Sequence, residues 1–168
     1  MKIRLKVQST LLDEIRQDLE RPHSFAAERV GFLTAGVAMA GDWLLLLARG
    51  YQPVADGDYV RDYTAGATIG GDAMRKALEA AYAPRSALLH LHSHGGRGTP
   101  GFSGTDLRSG AEFVPGFFHA VSRMPHGMLV LSDDSAAGML WLNGEDGGSD
   151  IAEFVAVGAP LKKFGRRL

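Results

Sequence analysis

Apolar and polar residues alternate over the first seven positions of the chain. This period of two predicts a half-buried strand, because residues two apart on a strand share a face. The spacing then changes to that of a helix, which we expect to be capped by Ser9 or Thr10 and to end at Arg21-Pro22. The apolar positions of this helix form one stripe: Leu11, Leu12, Ile15 and Leu19.

The remaining pattern predicts further strands with two more helices between them. Residues 28–39 and 43–51 are apolar runs separated by Ala-Gly-Asp, which is typical of a hairpin. Asp72 is expected to cap a second helix, and a third helix is expected to begin between Ser103 and Asp106. Shorter strands are predicted at residues 59–63, 86–93, 128–132, 139–142 and 151–157. This order of elements predicts a mixed α/β (α+β) fold, in which a sheet is flanked by helices.

Composition and charge narrow the class of protein. The 168 residues are expected to form one domain, 1–168, and the net charge of −1 gives no broad attraction for nucleic acid. The absence of cysteine excludes disulfide scaffolds, cysteine-ligated zinc and cysteine nucleophiles. No apolar run is long enough for a bilayer, and no secretory segment is recognised. We therefore expect a soluble cytoplasmic protein without a membrane partner. Its last basic residues are expected to form a solvated tail: Lys162, Lys163, Arg166 and Arg167.

Three of the six histidines lie within five residues, at the end of the apolar strand predicted over residues 86–93. His92 and His94 are two apart, so on a strand their rings face the same side. A buried neutral imidazole needs a partner for each ring nitrogen, and a divalent metal ion can be that partner. The pair therefore indicates a candidate metal site, with His90 as a neighbouring group.

The segment after His94 brings a carboxylate within reach. A glycine-rich loop leads to Ser103-Gly104-Thr105-Asp106, where Asp106 is placed to be a third ligand. Two imidazoles and one carboxylate leave the fourth position of a tetrahedral Zn²⁺ open, as in hydrolytic zinc sites. The same four residues also match a helix capping box, in which Ser103 and Asp106 bond to each other's backbone. Both interpretations can hold at once.

The combined motif resembles the JAMM/MPN+ metalloprotease family (the JAB domain), and in particular its bacterial members. Glu28 opens the run Glu-Arg-Val-Gly-Phe-Leu, similar to the family's distant glutamate before an apolar strand. His92-Ser93-His94 resembles its His-Ser/Thr-His, and Ser103 with Asp106 resembles its Ser-x-x-Asp. The resemblance spans roughly residues 28–142. Eleven residues separate His94 from Asp106, one more than is usual in the family. The pair His90 and His92 would leave thirteen, a poorer fit.

The resemblance implies a fold, a reaction and a substrate class. The fold is JAB/MPN-like, a central and mostly antiparallel sheet with layering like that of cytidine deaminases. His92, His94 and Asp106 would ligate Zn²⁺, Glu28 would be the general acid/base, and Ser103 would donate to the oxyanion. The substrate would be a ubiquitin-like protein, released from conjugates or trimmed at its carboxyl-terminal extension. The implied partners include activating and conjugating enzymes, in some bacterial systems as part of antiphage defence.

Two other functions remain open at the level of sequence. A zinc peptidase or amidase acting on small peptide conjugates would use the same site chemistry. A non-catalytic MPN-type scaffold would use the fold alone, with the histidines incidental to it. Without the resemblance, Glu28 is expected to be an ordinary surface glutamate.

Overall fold

Over residues 1–22, 26–62, 66–145, 147–159 and 162–165, which the structure describes, the computed structural model contains a nine-stranded sheet, a two-stranded sheet and three α-helices. The strands are β1 (Lys2–Gln8), β2 (Val30–Ala40), β3 (Trp43–Pro53), β4 (Tyr59–Val60), β5 (Thr68–Ile69), β6 (Ala87–Ser93), β7 (His126–Leu131), β8 (Ala136–Trp141), β9 (Ser149–Asp150), β10 (Glu153–Val157) and β11 (Lys162–Phe164). The helices are α1 (Ser9–Leu19), α2 (Gly71–Tyr82) and α3 (Gly104–Ala120). The predicted mixture of helix and sheet is confirmed.

The large sheet has the strand order β11-β10-β1-β3-β2-β6-β7-β8-β9. Within the described part of the chain, its antiparallel pairs are β10–β11, β2–β3, β2–β6, β7–β8 and β8–β9, and its parallel pairs are β1–β10, β1–β3 and β6–β7. The sheet is therefore mostly antiparallel. Since β6 and β7 are parallel, the chain must cross over between them, and α3 lies in that connection.

Alternation along the strands divides the core into two apolar clusters. Leu89 and Leu91 of β6 belong to the cluster packed with α1, whereas Leu88 belongs to the cluster packed with α2 and α3. Successive side chains on a strand point to opposite faces, so helices cover the sheet from both sides. The predicted apolar stripe of α1 is confirmed, because its Leu12, Ile15 and Leu19 are buried. None of the described helices is long and apolar enough to cross a membrane.

Several local predictions were wrong in detail. The N-cap of α1 is Gln8, not Ser9 or Thr10, and it makes no side-chain capping bond. The N-cap of α2 is Gly70, with Asp72 inside the first turn. Backbone geometry at these two starts follows from the preceding strands β1 and β5, which lead almost directly into the helix.

The short strands also differ from their predicted bounds. Strand β4 ends at Val60, and Tyr63, the predicted end of that strand, lies outside the described residues. The segment predicted as a basic tail begins with β11, which pairs with β10, and Lys163 forms an ion pair with Glu153 at 2.9 Å. Arg166 and Arg167 lie outside the described residues. Part of the expected tail is therefore an edge strand.

A pair of glycines offers a test of the packing around β7. A Cβ at Gly127 would overlap the backbone carbonyl oxygen of Met139 on β8, whereas a Cβ at Gly116 in α3 would meet open space. We expect Gly127→Ala to lower the free energy of unfolding by about 1–3 kcal/mol, as overpacking does. Gly116→Ala should raise it by about 0.5–1 kcal/mol, because alanine favours a helix interior. Urea unfolding of both variants measures this, and equal effects of the two substitutions would contradict the packing.

Candidate metal centre

The candidate ligands meet where β6 ends. Strand β2 runs antiparallel to β6, with Val30 paired to His92, so the segment before β2 and the segment after β6 lie at the same edge of the sheet. Glu28 precedes β2 by two positions and His94 follows β6 directly. The crossover from β6 to β7 returns through α3, whose first turn contains Asp106. Three separate parts of the chain are thereby brought to one place.

The two histidine rings converge as the strand period predicts. The Nε2 atoms of His92 and His94 lie 3.0 Å apart. The His92 side chain is 4% exposed and that of His94 is 27% exposed. The His92 ring is therefore inside the protein, and the His94 ring is partly exposed at the surface. Burial lowers the pKa of His92 to about 4, with the neighbouring Asp106 and His94 acting in opposite directions. The His92 ring is therefore neutral near pH 7, which is the form that binds metal ions.

Asp106 lies against both rings. Its Oδ1 is 3.5 Å from Nε2 of His92, and its Oδ2 is 3.4 Å from Nε2 of His94. In a tetrahedral zinc site with bonds of about 2.0–2.2 Å, neighbouring ligand atoms are roughly 3.3–3.5 Å apart. The nitrogen-to-oxygen distances match that spacing, and the nitrogen-to-nitrogen distance is somewhat shorter. The two contacts are made by different oxygens of Asp106, and they bring its carboxylate and both rings close enough to share one ion.

The capping box predicted at the start of α3 is present beside these three side chains. Ser103 Oγ accepts a hydrogen bond from the Asp106 backbone N–H at 3.1 Å, and Asp106 Oδ2 accepts one from the Ser103 N–H at 2.6 Å. Burial alone would raise the pKa of Asp106, but the bonds to Ser103 and the two histidines outweigh it and hold that pKa below the usual value. The capping-box interpretation of the Ser-x-x-Asp pattern is therefore confirmed, and the cap holds the Asp106 carboxylate near the two rings.

Glu28 is a second carboxylate at the site. One of its oxygens lies within 4.8 Å of a ring nitrogen of each histidine, so Glu28, His92 and His94 also form a group able to hold a metal ion. Its backbone N–H donates to the Gly66 carbonyl at 2.8 Å, and a Cβ at Gly66 would come within 2.8 Å of Glu28 Oε2. The glycine therefore leaves room for the carboxylate. Burial raises the pKa of Glu28. The nearby His94 lowers that pKa and partly offsets the effect of burial, whereas Asp106 raises it further.

The donor set fits zinc better than the harder divalent cations. Two imidazole nitrogens and a carboxylate are common zinc ligands, whereas magnesium and calcium prefer oxygen alone.

His92 Nδ1 is buried and has no hydrogen-bond partner among the described residues. If Nε2 binds the metal, Nδ1 carries the ring proton and lacks the acceptor that usually orients such a ligand. The ring is held instead by its packing against Phe102 and His90, with centroids 6.5 and 5.9 Å away.

His90 stands apart from the metal-binding group. Its ring contacts Phe113 and Phe32, at centroid distances of 4.9 and 5.5 Å. Burial lowers the pKa of His90 to about 3, and the neighbouring His92 contributes to the same shift. This ring is therefore also neutral. His90 lies two positions before His92 on the same strand, so both rings face the same side of the sheet. His90 therefore lines the space beside the metal-binding group.

The glycine-rich loop after His94 is tied to the turn between β7 and β8. Gly95, Gly96 and Gly98 have φ values of 64°, 70° and 90°, a region that favours glycine. Gly98 donates to Asp134 at 2.7 Å and its carbonyl accepts from Ser132 at 2.6 Å. These bonds fix the path of the loop towards α3.

Among the described residues, two pockets border the metal-binding group, and Glu28 lines both. One, of about 460 Å³, is polar and is lined by charged and small residues, including Glu20, Arg21, Arg29 and His94. The other, of about 220 Å³, is lined by polar side chains, including His92 and Asp106, and by apolar side chains, including Met74 and Phe113. An extended peptide that crosses the metal-binding group would therefore contact the more polar pocket on one side and the more apolar pocket on the other. No local sequence pattern predicts the second pocket, because its walls come from distant parts of the chain.

Comparison with models of protein families and with curated proteins finds no match to this chain. Among solved structures, the N-terminal domain of STIL from Trichoplax adhaerens is similar over 81% of this chain, with 10% sequence identity and a TM-score of 0.40. The chain covers 40% of that structure's length. A similarity at this level carries no argument about function, so the function must be inferred from the chemistry of the site.

Proposed function

We propose that this chain is a zinc-dependent metallo(iso)peptidase of the JAMM type, including the JAB/MPN-like layering that the motif implies. One observation carries the proposal: His92, His94 and Asp106 converge with contacts of 3.0–3.5 Å, and the Glu28 carboxylate faces the same two rings. The sequence motif supports His92, His94 and Asp106 as the ligands, and the proximity of Asp106 to both rings is consistent with that choice, with Glu28 as the second carboxylate of the site.

His92, His94 and Asp106 would hold the zinc ion, and Glu28 would transfer protons. Bound zinc supplies a Lewis acid that polarises the amide carbonyl and makes water a stronger nucleophile near neutral pH. Asp106 is the carboxylate nearer the rings and is ionised, which suits a ligand. Glu28 lies further from them and its pKa is raised by burial, which suits a base that must later act as an acid. It would accept a proton from the attacking water and deliver it to the leaving nitrogen.

Ser103 is the proposed donor to the oxyanion. Its Oγ accepts a hydrogen bond from the Asp106 N–H, and its hydroxyl also hydrogen-bonds to the Asp106 carboxylate, so the hydroxyl would have to turn from that carboxylate to donate to a substrate. A donor of this kind acts only as charge develops on the carbonyl oxygen, and therefore favours the transition state over the bound substrate. The capping bond holds the hydroxyl at the same helix start as the ligand Asp106.

The proposed substrate is a ubiquitin-like protein, cut from a conjugate or from its own carboxyl-terminal extension. The support for this class is the JAMM/MPN+ motif, which also suggests activating and conjugating enzymes as partners and a cytoplasmic bacterial setting, including antiphage defence. The open arrangement of two pockets on either side of Glu28 suits an extended tail that crosses the site. Such a tail would bind in a groove rather than enter a closed cavity.

A cleavage panel tests the proposal. The zinc-loaded chain is incubated with folded ubiquitin-like proteins that carry carboxyl-terminal extensions, and with the same tail sequences as short peptides. We expect release of the extension from a folded fusion, detected by mass spectrometry at a single bond. Cleavage of the peptides alone would favour the small-peptide amidase. A zinc-loaded protein that cuts neither set would favour the non-catalytic scaffold.

A further inference from the structure

We infer that the 220 Å³ pocket beside the metal centre is a binding site for a large apolar side chain on one side of the scissile bond. This inference rests on the proposed amide hydrolysis and adds to it a substrate preference. The pocket, which we name the apolar pocket, shares Glu28, His92 and Asp106 with the metal centre. A side chain inside it would therefore lie next to the reacting bond.

The walls of the apolar pocket are contributed by distant parts of the chain. Its apolar lining consists of Val30 of β2, Ala67 and Ile69 near β5, Met74 of α2, Phe113 of α3 and Met128 of β7. These side chains also belong to, or pack against, the core cluster between the sheet and the two helices α2 and α3. The pocket is therefore an extension of the core that opens at the metal centre.

The volume suits one side chain. Pockets for drug-sized ligands usually measure about 300–1,000 Å³, and a dry apolar cavity of about 150 Å³ is large enough for benzene. At about 220 Å³, the apolar pocket is too small for a peptide segment and large enough for leucine, methionine or phenylalanine. A glycine or alanine at that position would leave the apolar walls in contact with water.

Polar side chains also line the apolar pocket: Glu28, Thr68, His90, His92, Thr105, Asp106 and Ser109. Glu28 and Asp106 are on the side of the metal centre, and Thr105 and Ser109 are on α3. The His90 ring, which contacts Phe113 and Phe32, lines the pocket as well. The Glu28 and Asp106 carboxylates are already assigned to proton transfer and zinc binding, so a charged occupant would be buried without a partner of its own among the described lining residues, which favours an uncharged occupant.

The pocket on the other side of Glu28 is more polar than the apolar pocket. It is about twice as large, and charged side chains such as Glu20, Arg21 and Arg29 line it. The two flanks of the cleaved bond would therefore be treated differently, with an apolar preference on one flank only. The family resemblance implies a tail of small residues, and the apolar pocket adds a requirement on the residue that faces it.

A peptide library tests this inference. The two residues that flank the cleaved bond are varied independently through Gly, Ala, Leu, Met, Phe, Asp and Lys, and kcat/KM is measured with the zinc-loaded chain. One methylene group in an apolar pocket is worth about 10–200-fold in kcat/KM. We expect Leu, Met or Phe to exceed Gly by at least about tenfold at one position only. Equal rates for Gly and Leu at both positions, or a preference for Asp or Lys at the preferred position, would overturn the inference.

Variants of the pocket assign the preference to its walls. Ala67→Leu fills the apolar pocket and should remove the preference, while Met74→Ala enlarges it and should shift the preference towards Phe. Ala80→Leu on the exposed side of α2 is the matched control and should leave the preference unchanged. Retention of the wild-type order in both pocket variants would also overturn the inference.

A binding measurement separates this inference from the proposed function. Fluorescein-labelled peptides of the same library are titrated into the metal-free chain, and anisotropy reports the dissociation constant without any cleavage. Tighter binding of Leu over Gly peptides, lost in Ala67→Leu, supports the pocket even if no peptide or fusion is cut. Cleavage with no difference in binding or in rate supports the proposed function and rejects the pocket.

Discussion

Replacing Glu28 by glutamine is expected to slow amide cleavage by roughly 10²–10⁴-fold, the usual contribution of a general acid/base. Glutamine keeps the size and the hydrogen-bonding oxygen but cannot carry the proton from water to the leaving nitrogen. Because Asp106 rather than Glu28 is the nearer carboxylate to the rings, zinc should remain bound. The measurement is kcat/KM on the cleaved fusion, with zinc per chain determined by mass spectrometry on the same sample.

The matched control for this variant is Glu14→Gln on the exposed side of α1. It makes the same chemical replacement away from the site and should retain full activity. Two results would remove Glu28 from the proton-transfer role. One is unchanged cleavage by the Gln variant, and the other is loss of zinc together with activity, which would make Glu28 a ligand.

Removing a proposed ligand is expected to weaken zinc binding by more than the roughly 10–100-fold that loss of an outer partner costs. His94→Ala and Asp106→Asn are the suitable variants, because His94 is partly exposed and asparagine can still accept the capping bond from Ser103. Competition with a zinc-binding dye gives the dissociation constants, and activity should be lost in parallel. Zinc affinity that is unchanged in both variants would contradict the assignment.

Two controls separate metal binding from folding in these experiments. His119→Ala removes an exposed histidine of α3 and should leave zinc affinity unchanged. Ser103→Ala removes the acceptor at the N-cap and should cost about 1 kcal/mol of stability, as loss of a cap does, while zinc stays bound. A fall in zinc affinity in Ser103→Ala as large as in Asp106→Asn would show that the cap, not the ligand, sets the affinity.

The histidine pair and the capped helix could be predicted from the sequence because both depend on local spacing. The period of two at His92 and His94 fixes a common face once the segment is a strand, and the capping box is a four-residue pattern. The same reasoning failed at the starts of α1 and α2. There the preceding strand leads almost directly into the helix, so Gln8 and Gly70 are the caps and no side-chain cap forms.

The position of Glu28 could not be obtained from local pattern. It depends on the antiparallel pairing of β2 with β6, between segments roughly sixty residues apart in the chain, and on Gly66 leaving space for the carboxylate. Only the family resemblance singled it out.

The apolar pocket was missed for a similar reason, since Met74, Phe113 and Met128 meet only in the folded chain. The shortest strands, such as β9 and β11, have too few residues to show a period.

The most direct measurement is a crystal structure of the zinc-loaded chain with diffraction collected on both sides of the zinc absorption edge. We predict one anomalous peak bonded to the Nε2 atoms of His92 and His94 and to a carboxylate oxygen of Asp106, with Glu28 facing the open position. Bonds of about 2.0–2.2 Å are expected. A chain saturated with zinc that shows no peak at these three side chains, or shows the ion elsewhere, would contradict the proposed metal centre.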